Sequence, residues 1–194
     1  MTKIAVLISG RGTNMKAIGR AVLDGRLKAG LVFVASDAPH ASGLALAEKM
    51  GFPTEILPYN SRGRSAGEAA IDHLCRSYRA EWIILAGFMR ILSPEFVRSH
   101  KNRIVNIHPS LLPSFPGTDG IGDAWRRGVK ITGVTVHLVD EGVDSGPILA
   151  QKAVPVRPGD DMASLEKRIH RAEHVLYWKT LAGLFSGTLY PERR

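Results

Sequence analysis

A chain of 194 residues, 44% hydrophobic and 23% charged, has the size and composition of one soluble globular domain with its own core. No apolar run approaches a membrane span, and the start Met1-Thr2-Lys3 lacks the small-residue cleavage site of a signal peptide. The single cysteine, Cys75, excludes an internal disulfide framework and fits a reducing cytoplasm. The net charge of +8 is spread thinly, with dense spots only at Arg193-Arg194 and pairs such as Arg126-Arg127, and with no basic stripe interleaved by aromatics. That distribution speaks against nucleic acid and suits a mildly anionic small substrate.

In chain order, residues 4–8 are a short apolar run without alternation, as in a central parallel strand. Ser9-Gly10-Arg11-Gly12-Thr13-Asn14 follows, then a helical pattern over 15–23. A strand, a glycine-rich turn and a helix start make an anion site, because backbone N–H groups converge there and the dipole favours negative charge. The turn matches neither the dinucleotide fingerprint nor a Walker A loop, so the fitting ligand is a single phosphate. The alternative is a tight turn in which Thr13 or Asn14 serves as N-cap.

A strand is expected at 31–36, a helix at 41–50 closed by Gly51, an edge strand at 54–57 and a polar loop at 58–63. An amphipathic helix follows at 64–80, in which Ile71, Leu74, Cys75 and Tyr78 share one face, so that Cys75 reads as core. Residues 82–86 form a fourth buried strand, Ser93 caps a short helix opened by Pro94, and 104–107 form a fifth strand. Strands alternating with helices predict a doubly wound, largely parallel sheet.

The remainder changes character. A loose segment with a short helix is expected at 120–128, a β-branched strand at 131–139, an acidic loop at 140–146 and an antiparallel strand at 147–156. A final helix carries Met162, Leu165, Ile169, Ala172 and Leu176 at helical spacing.

The chemistry gathers at Ile104-Val105-Asn106-Ile107-His108-Pro109. Asn106 and His108 are two apart, so they leave one face of a strand together. Pro109 restricts the backbone of His108 to the extended region. A histidine moves protons near neutral pH, and an amide donates to an oxyanion without titrating. The plainer alternative is two polar residues satisfying backbone groups at a strand end. Asp140, Glu141 and Asp144 read as a solvated loop, without the regular oxygens of a calcium site. No metal is expected, since there is no His-Glu-x-x-His pair and one cysteine makes no thiolate site. His137, in the strand that leads to Asp144, reads as a buried structural histidine, with a supporting partner of the site as the alternative. His73, His100 and His174 read as surface or packing residues, and Glu173, by spacing alone, as a surface acid.

Taken together, Asn106-Ile107-His108-Pro109 through Phe115-Pro116-Gly117, His137 through Ile148, Ala86 through Pro94, and Ile8 through Asn14 resemble the phosphoribosylglycinamide formyltransferase family. The resemblance runs from residue 4 to about 178. It implies a single Rossmann-like formyltransferase domain over 1–194, α/β, with helices on both faces of a mostly parallel twisted sheet and an antiparallel C-terminal extension. The phosphate-binding half would span about 1–100 and the catalytic and folate half about 101–194.

By the same resemblance, Asn106, His108 and Asp144 are the catalytic trio. Gly12, Thr13 and Asn14 cradle the ribonucleotide phosphate, and Glu173 holds its ribose. Arg64, Met89, Arg90, Ile91, Leu92, Asn106, Val139, Asp140, Glu141 and Val143 belong to the folate side. A cis bond is expected at Leu112-Pro113. Residues 118–125 depart from the family pattern by lacking histidine, and the neighbours of Arg64 depart from it too. The implied partners are glycinamide ribonucleotide and 10-formyltetrahydrofolate, with no nucleic acid, membrane or metal, in a monomer or homodimer. The implied reaction passes the formyl group from the folate to the ribonucleotide amine, in the cytoplasm. The rival readings are a formyltetrahydrofolate hydrolase and a non-catalytic phosphosugar-binding module.

Overall fold

The computed structural model describes residues 1–189, so the Arg193-Arg194 pair lies outside the described residues. The elements are β1 (Thr2–Ile8), α1 (Thr13–Leu23), β2 (Ala29–Ser36), α2 (Ser42–Lys49), β3 (Thr54–Ile56), α3 (Tyr59–Tyr78) and β4 (Trp82–Leu85). They continue with α4 (Pro94–Ser99), β5 (Ile104–His108), α5 (Gly120–Arg127), β6 (Ile131–Leu138), β7 (Ile148–Pro155) and α6 (Met162–Phe185). The strands form one sheet in the order β3-β2-β1-β4-β5-β6-β7. The first five are mutually parallel, while β6 runs antiparallel to β5 and β7 antiparallel to β6.

Strand alternation divides the core between the two faces of the sheet. Ile4, Val6 and Ile8 of β1 pack with Met15 and Ile18 of α1, Leu44 of α2, and Leu165, Ile169 and Leu181 of α6. Ala5 and Leu7 point the other way, into a cluster with Ile71 and Cys75 of α3 and Phe96 and Val97 of α4. Cys75 is therefore a core residue, and burial pushes its thiol up to about 12.

Chain order reverses between β1 and β4, so the crevice beyond their carboxyl ends is where such a sheet takes ligands. The structure ties the loops there together. Ser9 N–H donates to the Gly87 carbonyl at 3.0 Å, and Met89 N–H donates to the Ser9 hydroxyl at 2.8 Å. On the opposite side, the buried Glu68 carboxylate accepts from Ser93 N–H and Ser93 Oγ, both at 2.6 Å, which fixes the start of α4. Ser93 in turn accepts from Phe96 N–H as the expected N-cap.

Two expectations change. Residues 58–63 are not a loop: α3 begins at Tyr59 and kinks at Gly63, whose φ of 80° and extended ψ interrupt the helix. The first turn folds back, and a Cβ at Gly67 would stand 2.3 Å from the Tyr59 ring, so the absence of a side chain there lets the turn close. Burial of Tyr59 outweighs the polarity of its neighbours. At the other site, α1 starts at Thr13 with Gly12 as N-cap in the left-handed region, so Thr13 and Asn14 are first-turn residues and neither caps the helix.

One buried hydroxyl bridges the centre of the sheet. Tyr177 of α6 is fully buried, and its O–H is shared between the carbonyls of Leu85 and Val105 at 2.9 and 3.0 Å. Tyr177→Phe should lower unfolding free energy by about 1–2 kcal/mol, since two carbonyls lose their donor without gaining water. Urea unfolding checks this, and an unchanged midpoint would contradict it.

Candidate active site

His108 closes β5 at its carboxyl end and is 4% exposed. Its Nδ1 lies 3.3 Å from Asp144 Oδ2, and its Nε2 donates to the Phe115 carbonyl at 2.8 Å. Asn106, on the same strand, places Nδ2 3.5 Å from Asp144 Oδ1 and 3.3 Å from His137 Nε2. The resemblance-derived trio thus meets around one carboxylate.

Asp144 reaches this position from the loop after β6 with a φ of 53°, uncommon for a residue with a side chain. Its Oδ2 accepts from Gly117 N–H at 2.8 Å, and Oδ1 lies 3.6 Å from His137 Nε2. Burial alone would raise the Asp144 carboxyl. The His137 hydrogen bond, the Gly117 N–H and the nearby histidine charge outweigh it and hold the group below its ordinary value of 3.8. Asp144 is therefore an ionised acceptor at neutral pH.

His137 stands beside Asn106 and Asp144, which favours the alternative of a supporting partner over a purely structural role. It is 2% exposed, yet β6 pairs it directly with Asn106, which puts its ring against the trio. Its Nδ1 faces the Leu138 carbonyl at 2.8 Å, leaving Nε2 for Asn106 and Asp144. The missed signal was the pairing of β5 with β6, which no local pattern encodes.

Asn106, His108 and Asp144 line a cavity of about 240 Å³. Met89, Arg90, Ile91 and Leu92 form one wall, and Val139, Asp140, Glu141 and Val143 form the facing rim. Met89, Ile91 and Val143 are exposed at its mouth, large apolar side chains left uncovered among the described residues. Arg90 differs from its neighbours. Its Nε donates to the buried Asp37 carboxylate at 2.6 Å, another guanidinium nitrogen meets Asn60 Oδ1, and the group lies over the Tyr59 ring. Its side chain anchors the wall to β2 and α3. Glu141 is held by Arg98 at 2.6 Å, and Asp140 by Ser145 Oγ at 2.8 Å. Arg64 is exposed just past the Gly63 kink and is not among the cavity-lining residues. The expected Leu112-Pro113 cis bond is present in the segment leading from His108.

The glycine-rich turn lies at the same carboxyl edge. Gly12 has a φ of 68°, and a Cβ there would meet the Gly43 backbone at 2.8 Å. Glycine therefore lets α1 begin hard against α2. No side chain caps α1, so its first-turn N–H groups point outward. Beside this end is a groove of about 330 Å³ lined by Arg11 and Thr13 and, from α6, Lys167, His170 and Arg171.

Glu173 is not a surface acid. It is 4% exposed, accepting from Asn14 Nδ2 at 3.2 Å and from His170 Nδ1 at 2.8 Å. The Glu173 hydrogen bond, outweighing burial, raises His170 above its ordinary value. His170 stands three residues before Glu173 on α6, one helical turn away, and that spacing could have revealed the pair. Among the described residues, no cluster of three or more His, Cys, Asp or Glu side chains is arranged to hold a metal ion.

The family model described as formyl transferase matches residues 2–181. A phosphoribosylglycinamide formyltransferase of Bacillus subtilis is 41% identical over 91% of each chain. A trifunctional purine biosynthetic protein adenosine-3 of Drosophila melanogaster is 44% identical over 96% of this chain, which spans only 14% of that longer protein's length. The crystal structure of glycinamide ribonucleotide transformylase 1 from Symbiobacterium toebii superposes with a TM-score of 0.95 at 40% identity, covering 100% of this chain and 92% of that one. With a family match across nearly its whole length and close relatives of its own size, the chain belongs to the formyl transferase family, among the phosphoribosylglycinamide formyltransferases.

Proposed function

We propose that the chain transfers the formyl group of 10-formyltetrahydrofolate to the amine of glycinamide ribonucleotide, giving formylglycinamide ribonucleotide and tetrahydrofolate, as a step of purine biosynthesis. The observation that carries this reading is the convergence of Asn106, His108 and Asp144 on one cavity at the sheet edge that also holds the uncapped start of α1. A formyl transferase needs an apolar slot for a flat donor, an anion site for the acceptor and a proton-handling pair between them.

In this reading the folate lies between Met89-to-Leu92 and Val139-to-Val143, whose exposed apolar side chains it would cover. The ribonucleotide phosphate lies against the first turn of α1, at Gly12, Thr13 and Asn14, where Arg11 and His170 add positive charge. Glu173 is placed by Asn14 and His170 to accept from the ribose. Arg64, outside the cavity lining, is left to the outer part of the folate.

The substrate amine attacks the formyl carbon, forming a new C–N bond and an oxyanion. Asn106 Nδ2, held only by contacts longer than 3.2 Å, can turn its N–H to that oxygen. An oxyanion donor is worth about 3 kcal/mol. His108 Nδ1 supplies a second donor, and Asp144 steadies the imidazolium. Collapse breaks the bond to the folate nitrogen, and the proton lost by the amine passes through Asp144, His108 or water to that nitrogen. Apposition of two bound substrates supplies much of the remaining rate.

A formyltetrahydrofolate hydrolase would use the same trio with water as acceptor, but it would leave the cationic groove beside α1 without a task. A phosphosugar-binding module would leave the trio without one. The deciding assay follows deformylation of 10-formyltetrahydrofolate with and without glycinamide ribonucleotide. Turnover should require the ribonucleotide; equal turnover without it selects the hydrolase, and none with it selects the binding module. A cytoplasmic setting fits the lone buried thiol, and among the described residues no helix is long and apolar enough to cross a membrane.

Asp144→Asn should lower kcat by about 100-fold or more while ribonucleotide binding by calorimetry stays unchanged. The substitution has a second signature. Because the folded Asp144 carboxyl is depressed below 3.8, its stabilisation is present above that pH and is lost as pH falls through the folded value. The stability gap between wild type and Asp144→Asn should therefore narrow on acidification below pH 3.8; a gap independent of pH would contradict the carboxylate's role. Replacing Thr13 by Val together with Asn14 by Ala should raise the ribonucleotide KM about tenfold and leave the folate KM alone. Equal effects on both would remove the phosphate from α1.

A further inference from the structure

We propose that the main-chain carbonyl of Phe115 is a positioning group for His108, and that Gly120 is required to leave room for it. The proposal deepens the formyl-transfer reading and rests on it.

The two ring nitrogens of His108 have unequal partners. Nε2 meets the Phe115 carbonyl at 2.8 Å, a well-formed hydrogen bond. Nδ1 meets Asp144 at 3.3 Å, a looser contact to a carboxylate oxygen that already accepts from Gly117 N–H at 2.8 Å. The hydrogen on Nε2 is thus committed to the protein, and Nδ1, beside Asp144, is the nitrogen that exchanges its proton with substrate. The proton Nδ1 gives to the tetrahedral oxygen or the departing nitrogen is replaced by one from the attacking amine, so the ring returns to its starting state. While Nδ1 is bare, the Phe115 carbonyl keeps the remaining hydrogen on Nε2, because the bond made by one imidazole nitrogen decides the state of the other.

The carbonyl is built to stay in place. Phe115 has a φ of 57°, an uncommon conformation for a residue with a side chain, and it turns its C=O toward the ring. The segment before it is pinned to β6 and β7. Thr135 Oγ1 donates to the Ser110 carbonyl at 2.7 Å and accepts from Leu112 N–H at 3.0 Å, while Gln151 Nε2 donates to the Leu112 carbonyl at 2.8 Å.

Gly120, the first residue of α5, lies on the other side of the same bond. A Cβ there would stand 2.9 Å from His108 Nε2 and 3.2 Å from the Phe115 oxygen, so it would crowd donor and acceptor together from the side. His108 is 4% exposed and lines the cavity, so a ring displaced by the added methyl gives up the Phe115 bond. The φ of Gly120 lies outside the left-handed region and alanine is a better helix former than glycine, so α5 itself tolerates the change.

The test combines Gly120→Ala with nitrogen-15 spectra of the histidine rings. With both substrates, Gly120→Ala should lower kcat about tenfold or more, the scale seen when the partner orienting a functional imidazole is lost. Both KM values should stay within about threefold, since neither substrate site is touched. In wild type, at a pH high enough for a neutral ring, the His108 spectrum should show hydrogen on Nε2; in Gly120→Ala that preference should weaken. A variant with wild-type kcat, or a wild-type ring with Nε2 bare, overturns the proposal. Should Gly120→Ala fail to fold, the wild-type spectrum decides alone. If wild type shows no ribonucleotide-dependent transfer, the functional reading falls, while the spectrum still judges the hydrogen bond.

Discussion

Everything at the catalytic edge depends on keeping one carboxylate charged inside the protein. Burying an ionised Asp144 is costly unless each lone pair finds a donor or a positive charge. The Gly117 N–H, the His108 and His137 rings and the Asn106 amide supply them, from three separate segments of the chain. Asn106 and His108 come from β5, His137 from β6, Gly117 from the loop after the cis proline, and Asp144 from the loop after β6. The antiparallel addition of β6 to an otherwise parallel sheet brings them together. Its register sets His137 directly opposite Asn106.

Part of this was legible in the sequence and part was not. Parallel strands, helix starts and the apolar faces of α1 and α6 are local patterns, and the chain read by periodicity gives nearly the observed elements. The adjacency of Asn106 and His108 is also local, fixed by strand alternation. The arrangement of Asp144 against them is not, because the register of β5 on β6 decides it. The same limit explains His137 and Glu173. Both carry polar groups into buried positions, so propensity and spacing assign them bland roles, while their partners lie 31 and 159 residues away in sequence. The resemblance supplied the trio and Glu173 but not His137, which the register alone placed in the site. The start of α3 failed for a different reason: Asn60, Ser61 and Arg62 look like a loop until Tyr59 is seen buried against Gly67.

The two walls of the cavity are held by different physics. One wall, Met89 to Leu92, is fixed from behind by charged and polar contacts, with Arg90 on Asp37 and Met89 N–H on Ser9. Met89 and Ile91 are thereby left facing outward, at a cost in exposed apolar surface, while Leu92 packs into the core. The facing wall, residues 139–144, is held mainly to itself through Asp140 and to α4 through Glu141 and Arg98. A Cβ at Gly146 would meet the Leu138 carbonyl at 1.9 Å, so the loop can turn back to deliver Asp144 only where a side chain is missing. The two walls thus meet at Asp144, whose carboxylate lies at the inner end of the loop against Gly117 and His108.

The positive charge of the chain acquires a local meaning beside α1. Helix dipole, free N–H groups, Arg11, Lys167 and His170 act on the same groove against one lining acid, Glu166, which lies 3.9 Å from Arg11 and 3.2 Å from His170, and the buried Glu173 keeps His170 positively biased there. That acid has two opposite effects. It lowers the net field an anion would feel, yet it orients both Asn14 and His170 and so fixes the direction from which an anion can be approached. At a site for a phosphate joined to a sugar, orientation is worth more than one extra unit of charge, because a charge that is merely near binds any anion, whereas a directed set of donors selects one that also offers hydroxyls.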